Sequence, residues 1–152
     1  KTLLDGVDVS REIRMPEITK LVSEVSAAAP VREAMVKEQR KMGKNGGVVM
    51  DGRDIGTVVF PNAELKVFMI ASIDERSQRR AAELQAKGIN VSADTIAREL
   101  EQRDELDSNR EISPLVQASD ARLLDTSSIT IEEQTEIILN WANEVINHKL
   151  LD

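Results

Sequence analysis

The stretch from Gly47 to Phe60 reads GVVMDGRDIGTVVF and carries the charge pattern best suited to chemistry in this chain. A short apolar run, Val48–Met50, reads as a strand and is cut off by Asp51, Gly52, Arg53 and Asp54; a second run, Val58 to Phe60, stops at Pro61. Charge at the exit of a buried strand is unfavourable unless something binds it. In open α/β sheets ligands collect at the carboxyl ends of the strands, where Asp51 would lie. A polar turn whose Arg and Asp pair with each other satisfies the same pattern, and local chemistry leaves both readings open.

Two further arginine groups bear on the choice. Arg76, Arg79 and Arg80 stand at i, i+3 and i+4 of a predicted helix and so share a face. Arg103, Asp107 and Arg110 stand at i, i+4 and i+7 of another, with Asp104 beside them. A guanidinium donates two hydrogen bonds at once in a planar fork, a geometry matched to phosphate. Several converging on one anion make the clamp that phosphoryl transfer needs. Taken singly, each group reads equally as a solvated helix surface carrying salt bridges; convergence on Asp51 and Arg53 is what would decide for function.

Asp51, after three apolar residues, also suits a carboxylate that holds magnesium through water. That role calls for a phosphate-binding loop of the form GxxxxGK[ST], and residues 1–152 contain none. Gly43-Lys44-Asn45-Gly46-Gly47 has the wrong order and follows a helix, so it reads as a tight connection. His148 is the single histidine, near the C-terminus, and makes a poor general base there. Ser23 and Arg32, in the N-terminal helical region, read locally as helix surface.

The elements that must position these groups follow an α/β pattern with parallel strands. Leu3-Leu4, Asp5-Gly6 and Val7 to Val9 read as a small hairpin. Pro16 opens a helix with Ile18, Leu21, Val22 and Val25 on one face, ended by Ala29-Pro30. Val31 to Met42 reads as a second helix, with Val31, Met35 and Met42 inward and Gly43 closing it. Leu65 to Ala71 is a nearly continuous apolar run of the buried parallel kind. Ser72 with Glu75 predicts a capping box for a helix ending at Lys87-Gly88, and Ser92 caps the next, from Ala93 to about Arg110. Leu123-Leu124 is the last strand. Thr130 with Glu133 opens a C-terminal helix with Ile137, Trp141 and Val145 at helical spacing.

Composition sets outer bounds. At 152 residues, 41% hydrophobic and 31% charged, the chain has the size and balance of one globular domain. A net charge of −7 argues against adhesion to nucleic acid or an anionic membrane. With no cysteine, disulfides, thiolate metal sites and cysteine nucleophiles are excluded, and the cytoplasm is the natural compartment.

The run Val49 to Pro61 closely resembles bacterial cytidylate kinases. So do Glu75-Arg76 with Arg79-Arg80, the segment from Gln102-Arg103-Asp104 to Asn109-Arg110, and Leu124-Asp125-Thr126-Ser127. The likeness extends from about Asp5 to the C-terminal helix. It implies a nucleoside monophosphate kinase-like P-loop fold, a parallel sheet with flanking helices, and transfer of phosphate from ATP to CMP or dCMP with magnesium. It assigns Ser23, Arg32 and Asp54 to the cytosine ring, Arg53 and Arg110 to the CMP phosphate, and Arg103 with Asp107 to the ribose side. Arg76, Arg79 and Arg80 become lid arginines over the ATP phosphates, and Asp51 the magnesium-side carboxylate. An ionised Asp54 suits cytosine because it only accepts hydrogen bonds, matching an exocyclic amine and opposing the carbonyl of uracil.

On this resemblance residues 1–47 form part of the CMP-binding region and 48–152 the core, with a helical lid around 73–115. The family's first strand, phosphate loop and first helix would precede Lys1, as would two residues of its CMP site, which suggests a fragment. The 152-residue chain alone is therefore predicted to be inactive or nearly so, and monomeric. The rivals are a non-catalytic nucleotide-binding module and a kinase of UMP or another monophosphate.

Overall fold

Asp5 and Gly6 take positive φ values of 50° and 83°, the twist that joins two antiparallel strands through a two-residue turn. They connect β1 (Leu3–Leu4) to β2 (Val7–Asp8), in register Leu3 with Asp8 and Leu4 with Val7. This computed structural model describes residues 1–150, without the side chains of residues 16, 19, 20, 23 and 149. It divides into two units, one of Lys1–Val49 with Arg110–Ile112 and the other of Met50–Asn109 with the chain from Ser113 onward.

In the first unit, a short 3-10 turn (Glu12–Arg14) leads to α1 (Pro16–Ala27) and α2 (Ala29–Met42). Pro30 lies in the first turn of α2, where its missing N–H removes no helical bond, so it starts the second helix as well as ending the first. The α2 helix therefore begins two residues before the expected Val31. Gly43 closes it by donating to the Gln39 carbonyl at 3.2 Å. The expected inward face is not buried: Val31, Met35 and Met42 are all exposed, as are Ile18, Leu21, Val22 and Val25 of α1. Two helices and a two-stranded hairpin form too thin a layer to cover both helix faces.

The second unit holds every buried apolar residue among those described: Val59, Leu84, Ile96 and Leu124. Its sheet pairs β3 (Val67–Ile70) in parallel with β4 (Arg122–Asp125), from Val67 opposite Arg122 to Ile70 opposite Asp125. The parallel pairing agrees with the apolar run Leu65 to Ala71. Met69 and Ile70 stay exposed, because β3 and β4 are the whole of this sheet among the described residues. Val48–Met50 is not a strand. Strand structure requires a partner's hydrogen bonds, the described residues offer this segment no ladder, and Val49 projects fully into solvent.

Helix α3 (Ile73–Ala86) begins with the Ser72 side chain accepting from the Glu75 amide at 3.2 Å. The reciprocal half of the expected box is replaced: the Ser72 amide donates to Ser127 Oγ at 2.9 Å, and Glu75 pairs with Arg79. Lys87 and Gly88, the latter at φ 76°, end the helix as expected. Helix α4 (Ala93–Asn109) is capped by Ser92, whose Oγ accepts from the Thr95 amide. Helix α5 (Ile131–Lys149) carries the full Thr130–Glu133 box, with Ile137, Trp141 and Val145 half-buried on one face. Among the described residues no helix is long and apolar enough to cross a membrane.

Candidate nucleotide site

Five polar residues are buried among those described, against four apolar ones, and all five lie in the second unit: Asp54, Ser77, Asp107, Ser113 and Thr126. Polar groups are buried at such density where structure has been built around them.

Asp54 introduces a wide π-helical turn, Ile55–Val59, of the kind that recurs at functional sites. The Asp54 carbonyl accepts from the amides of Thr57, Val58 and Val59 at 3.3, 2.8 and 3.2 Å, so the chain wraps around that one oxygen. Phe60 closes the turn onto the Ile55 carbonyl at 2.7 Å. Gly52 is required just before it, since a Cβ there would meet Ile55 Cγ1 at 2.9 Å. The Asp54 side chain ends up buried, with only 2% of the residue exposed, while Asp51 and Arg53 face outward.

Arg53 does not pair with its neighbouring carboxylates. Its Nε donates to Oδ2 of Asp107, on α4, at 2.9 Å. Arg103, one helical turn before Asp107, approaches the same oxygen at 3.7 Å. Burial lowers the Arg103 pKa, and the charges of Arg53 and Arg80 push it further down against the pull of Asp107 and Asp104. Charges from three elements, Arg53 in the Gly52–Arg53 turn, Arg80 on α3 and Asp107 with Asp104 on α4, thus act on Arg103. A carboxylate shared by two guanidinium groups leaves positive charge in surplus, which suits an anion.

The arginines of α3 have separate partners. Arg76 Nη1 reaches Asp104 Oδ2 at 2.5 Å and ties α3 to α4. Arg79 Nη2 donates to the Thr126 carbonyl at 2.6 Å and its Nε to Glu75 Oε1 at 2.7 Å; Arg80 pairs with Glu83 at 2.7 Å. The three share a helix but fan outward to different acceptors. Thr126 itself is anchored at the end of β3, its amide and its hydroxyl both donating to the Ile70 carbonyl. Sequence reasoning gave no role to Thr126 or Asp104; the run Leu124 to Ser127 was the available signal for the first.

Arg110 departs from the expected helical face. Helix α4 ends at Asn109, so the shared face reaches only from Arg103 to Asp107, and Arg110 groups with the first unit. Arg32 lies on α2 of that unit, half-buried; Ser23 lies on α1, and its side chain is outside the described residues. Asp51 forms no ion pair among the described residues, and no group of three acidic or histidine side chains there could hold a metal alone. That donor set still fits magnesium, which binds through one or two carboxylates together with substrate phosphates and water.

Residues 1–144 match the sequence model of the cytidylate kinase family. Cytidylate kinase of Enterococcus faecalis is 54% identical over 140 residues, covering 92% of this chain and 62% of that protein. Cytidylate kinase of Desulforamulus reducens is 52% identical over 142 residues, and that of Chloroherpeton thalassium 54% over 151, each matched over 64% of its own length. The chain thus spans just under two thirds of these relatives. With a family match over nearly its whole length and such relatives beside it, the chain belongs to the cytidylate kinase family.

Proposed function

We propose that this chain carries the acceptor side of a kinase that transfers the γ-phosphoryl group of ATP to CMP or dCMP. The observation that supports it best is the convergence of Arg53 and Arg103 on one oxygen of the buried Asp107, with the charge of Arg80 felt at Arg103. In this reading Arg53 holds the CMP phosphate, a role that the resemblance also gives to Arg110. Nε of Arg53 is engaged by Asp107, which leaves its two terminal nitrogens as the fork for phosphate oxygens. Arg103 and Asp107 face the ribose, and Asp54 reads the cytosine edge, a role that the resemblance also gives to Ser23 and Arg32. Burial excludes water from around Asp54 and sharpens its preference for an amine donor over a carbonyl.

Arg76, Arg79 and Arg80 act on the donor phosphates, where charge shifts during transfer. Catalysis is by positioning and electrostatics, with no covalent intermediate. Asp51 would hold magnesium through water, and the ion, when bound, neutralises phosphate oxygens. The chain lacks a GxxxxGK[ST] motif in its 152 residues, so binding of the acceptor and turnover are tested apart.

Calorimetric titration of the chain with CMP, dCMP and UMP tests recognition. Cytosine nucleotides binding about tenfold tighter or more than UMP are expected, and equal binding overturns the reading. Conversion of CMP and ATP-magnesium to CDP by the intact gene product tests transfer; binding without CDP formation supports a non-catalytic nucleotide module.

A further inference from the structure

Lys66 is a buried cation to which the proposed reaction gives no part. Only 7% of its side chain is exposed, yet it sits at the entrance to β3 in an otherwise apolar run. Its Nζ donates to the Pro61 carbonyl at 2.5 Å and to both carboxylate oxygens of Asp120 at 2.8 Å. Its aliphatic stem lies across Gly56, where an added Cβ would meet Lys66 Cδ at 3.3 Å. Its own carbonyl accepts the Arg122 amide at 2.9 Å, extending the β3–β4 ladder. One residue therefore touches the π-helical turn at Gly56, the end of that turn at Pro61, the loop before β4 at Asp120, and the sheet.

We propose that Lys66 is a positioning residue that clamps the turn Ile55–Val59 to the sheet and so fixes the direction of the Asp54 carboxylate. Asp54 lies at the start of this turn, and three of the turn's amides converge on its carbonyl. Such turns are rare, and in this one three amides share a single carbonyl acceptor, so contacts from outside the turn help to keep one geometry. Lys66 supplies them on both sides of the turn, with the stem on Gly56 near Asp54 and the ammonium on Pro61 beyond Val59. The hydrogen bond from Lys66 also draws the Asp120 carboxyl below the ordinary range. The consequence for nucleotide choice rests on the reading of Asp54 as the cytosine-sensing group; the clamp itself does not.

Two substitutions and two readouts test the proposal. Lys66→Met keeps the stem over Gly56 and removes the ammonium; Asp120→Asn, at an exposed side chain, removes the counter-charge with little risk to folding. Hydrogen exchange of the Val58 and Val59 amides is expected to quicken by about tenfold or more in Lys66→Met, and less in Asp120→Asn, with α5 amides unchanged. The ratio of CMP to UMP affinity is expected to fall at least about threefold in Lys66→Met, which a purely structural role would leave alone. Exchange at Val58 and Val59 that stays at the wild-type rate in every variant that folds overturns the clamp. Loss of exchange protection without a fall in the ratio overturns its role in base choice. A wild-type chain that does not distinguish CMP from UMP overturns the reading of Asp54, while exchange still decides the clamp.

Discussion

Arg53 Nε and Asp107 Oδ2 are 2.9 Å apart across 54 positions of sequence, and the carboxylate that joins them is almost wholly buried. Asp107 holds Arg53 by its inner nitrogen and Arg103 by charge, so removing it leaves two cations facing each other. Breaking a buried pair is strongly destabilising, but both arginines are more than a third exposed and solvent screens them. Asp107→Ala is therefore expected to lower stability by about 2 kcal/mol, read from urea unfolding. Asp107→Asn, which keeps an acceptor, is expected to weaken CMP more than cytidine, because it loosens Arg53, the group proposed to hold the phosphate. Equal loss for both would place Asp107 on the ribose alone.

Asp54→Ala is expected to reduce the preference for CMP over UMP about tenfold or more, while turnover with saturating CMP in the intact gene product falls less. On the proposed reading the buried carboxylate opposes a carbonyl on the base, so its removal relieves UMP as it weakens CMP. A CMP-to-UMP ratio that stays at the wild-type value would sink this assignment.

What the sequence revealed was set by the range of each interaction. The hairpin at Asp5-Gly6, the Thr130–Glu133 box and the Ser92 cap depend on residues within a few positions of one another, and each was legible. Half of the Ser72–Glu75 box was legible too, since Ser72 accepts the Glu75 amide, but Ser127 took the place of Glu75 at the Ser72 amide from the neighbouring strand end. Val48–Met50 has the composition of a strand, but a strand exists only where a second one pairs with it. The π-helical turn left no pattern, since its hydrogen bonds gather on one backbone carbonyl. For the site, residue types and resemblance named Arg53, Arg103 and Asp107, but their common oxygen was visible only in three dimensions. Lys66 was passed over although a lone lysine entering an apolar run is itself a signal.

Acid should weaken the join between β4 and α3. Asp125 Oδ1 accepts from the Ser127 amide and hydroxyl at 2.9 and 2.6 Å, and these bonds hold its carboxyl below the ordinary value. Because the folded-state pKa is depressed, the stabilisation is complete above the unfolded value of about 3.9. It is lost as pH falls through the lower folded value. The difference in unfolding free energy between wild type and Asp125→Asn is expected to be flat near neutrality and to shrink below about pH 4. Parallel curves down to the acid transition would show that Ser127, and through it the α3 cap, does not depend on that charge.

Arg79 donates from all three nitrogens, Nη2 to the Thr126 carbonyl, Nη1 to the Thr126 hydroxyl and Nε to Glu75, so its direction depends on the planar fork. Lysine has one nitrogen and cannot reproduce that arrangement. Arg79→Lys is expected to slow CDP formation by the intact gene product about tenfold or more, with the KM for CMP changed less than about threefold. Thr126→Val keeps the carbonyl that Arg79 grips while deleting the hydroxyl, which donates to Ile70 and accepts only a long 3.4 Å bond from Arg79 Nη1. That variant is expected to lose about 1 kcal/mol of stability and to keep most of its turnover. If Thr126→Val slowed turnover as much as Arg79→Lys, the hydroxyl rather than the carbonyl would be what orients the arginine.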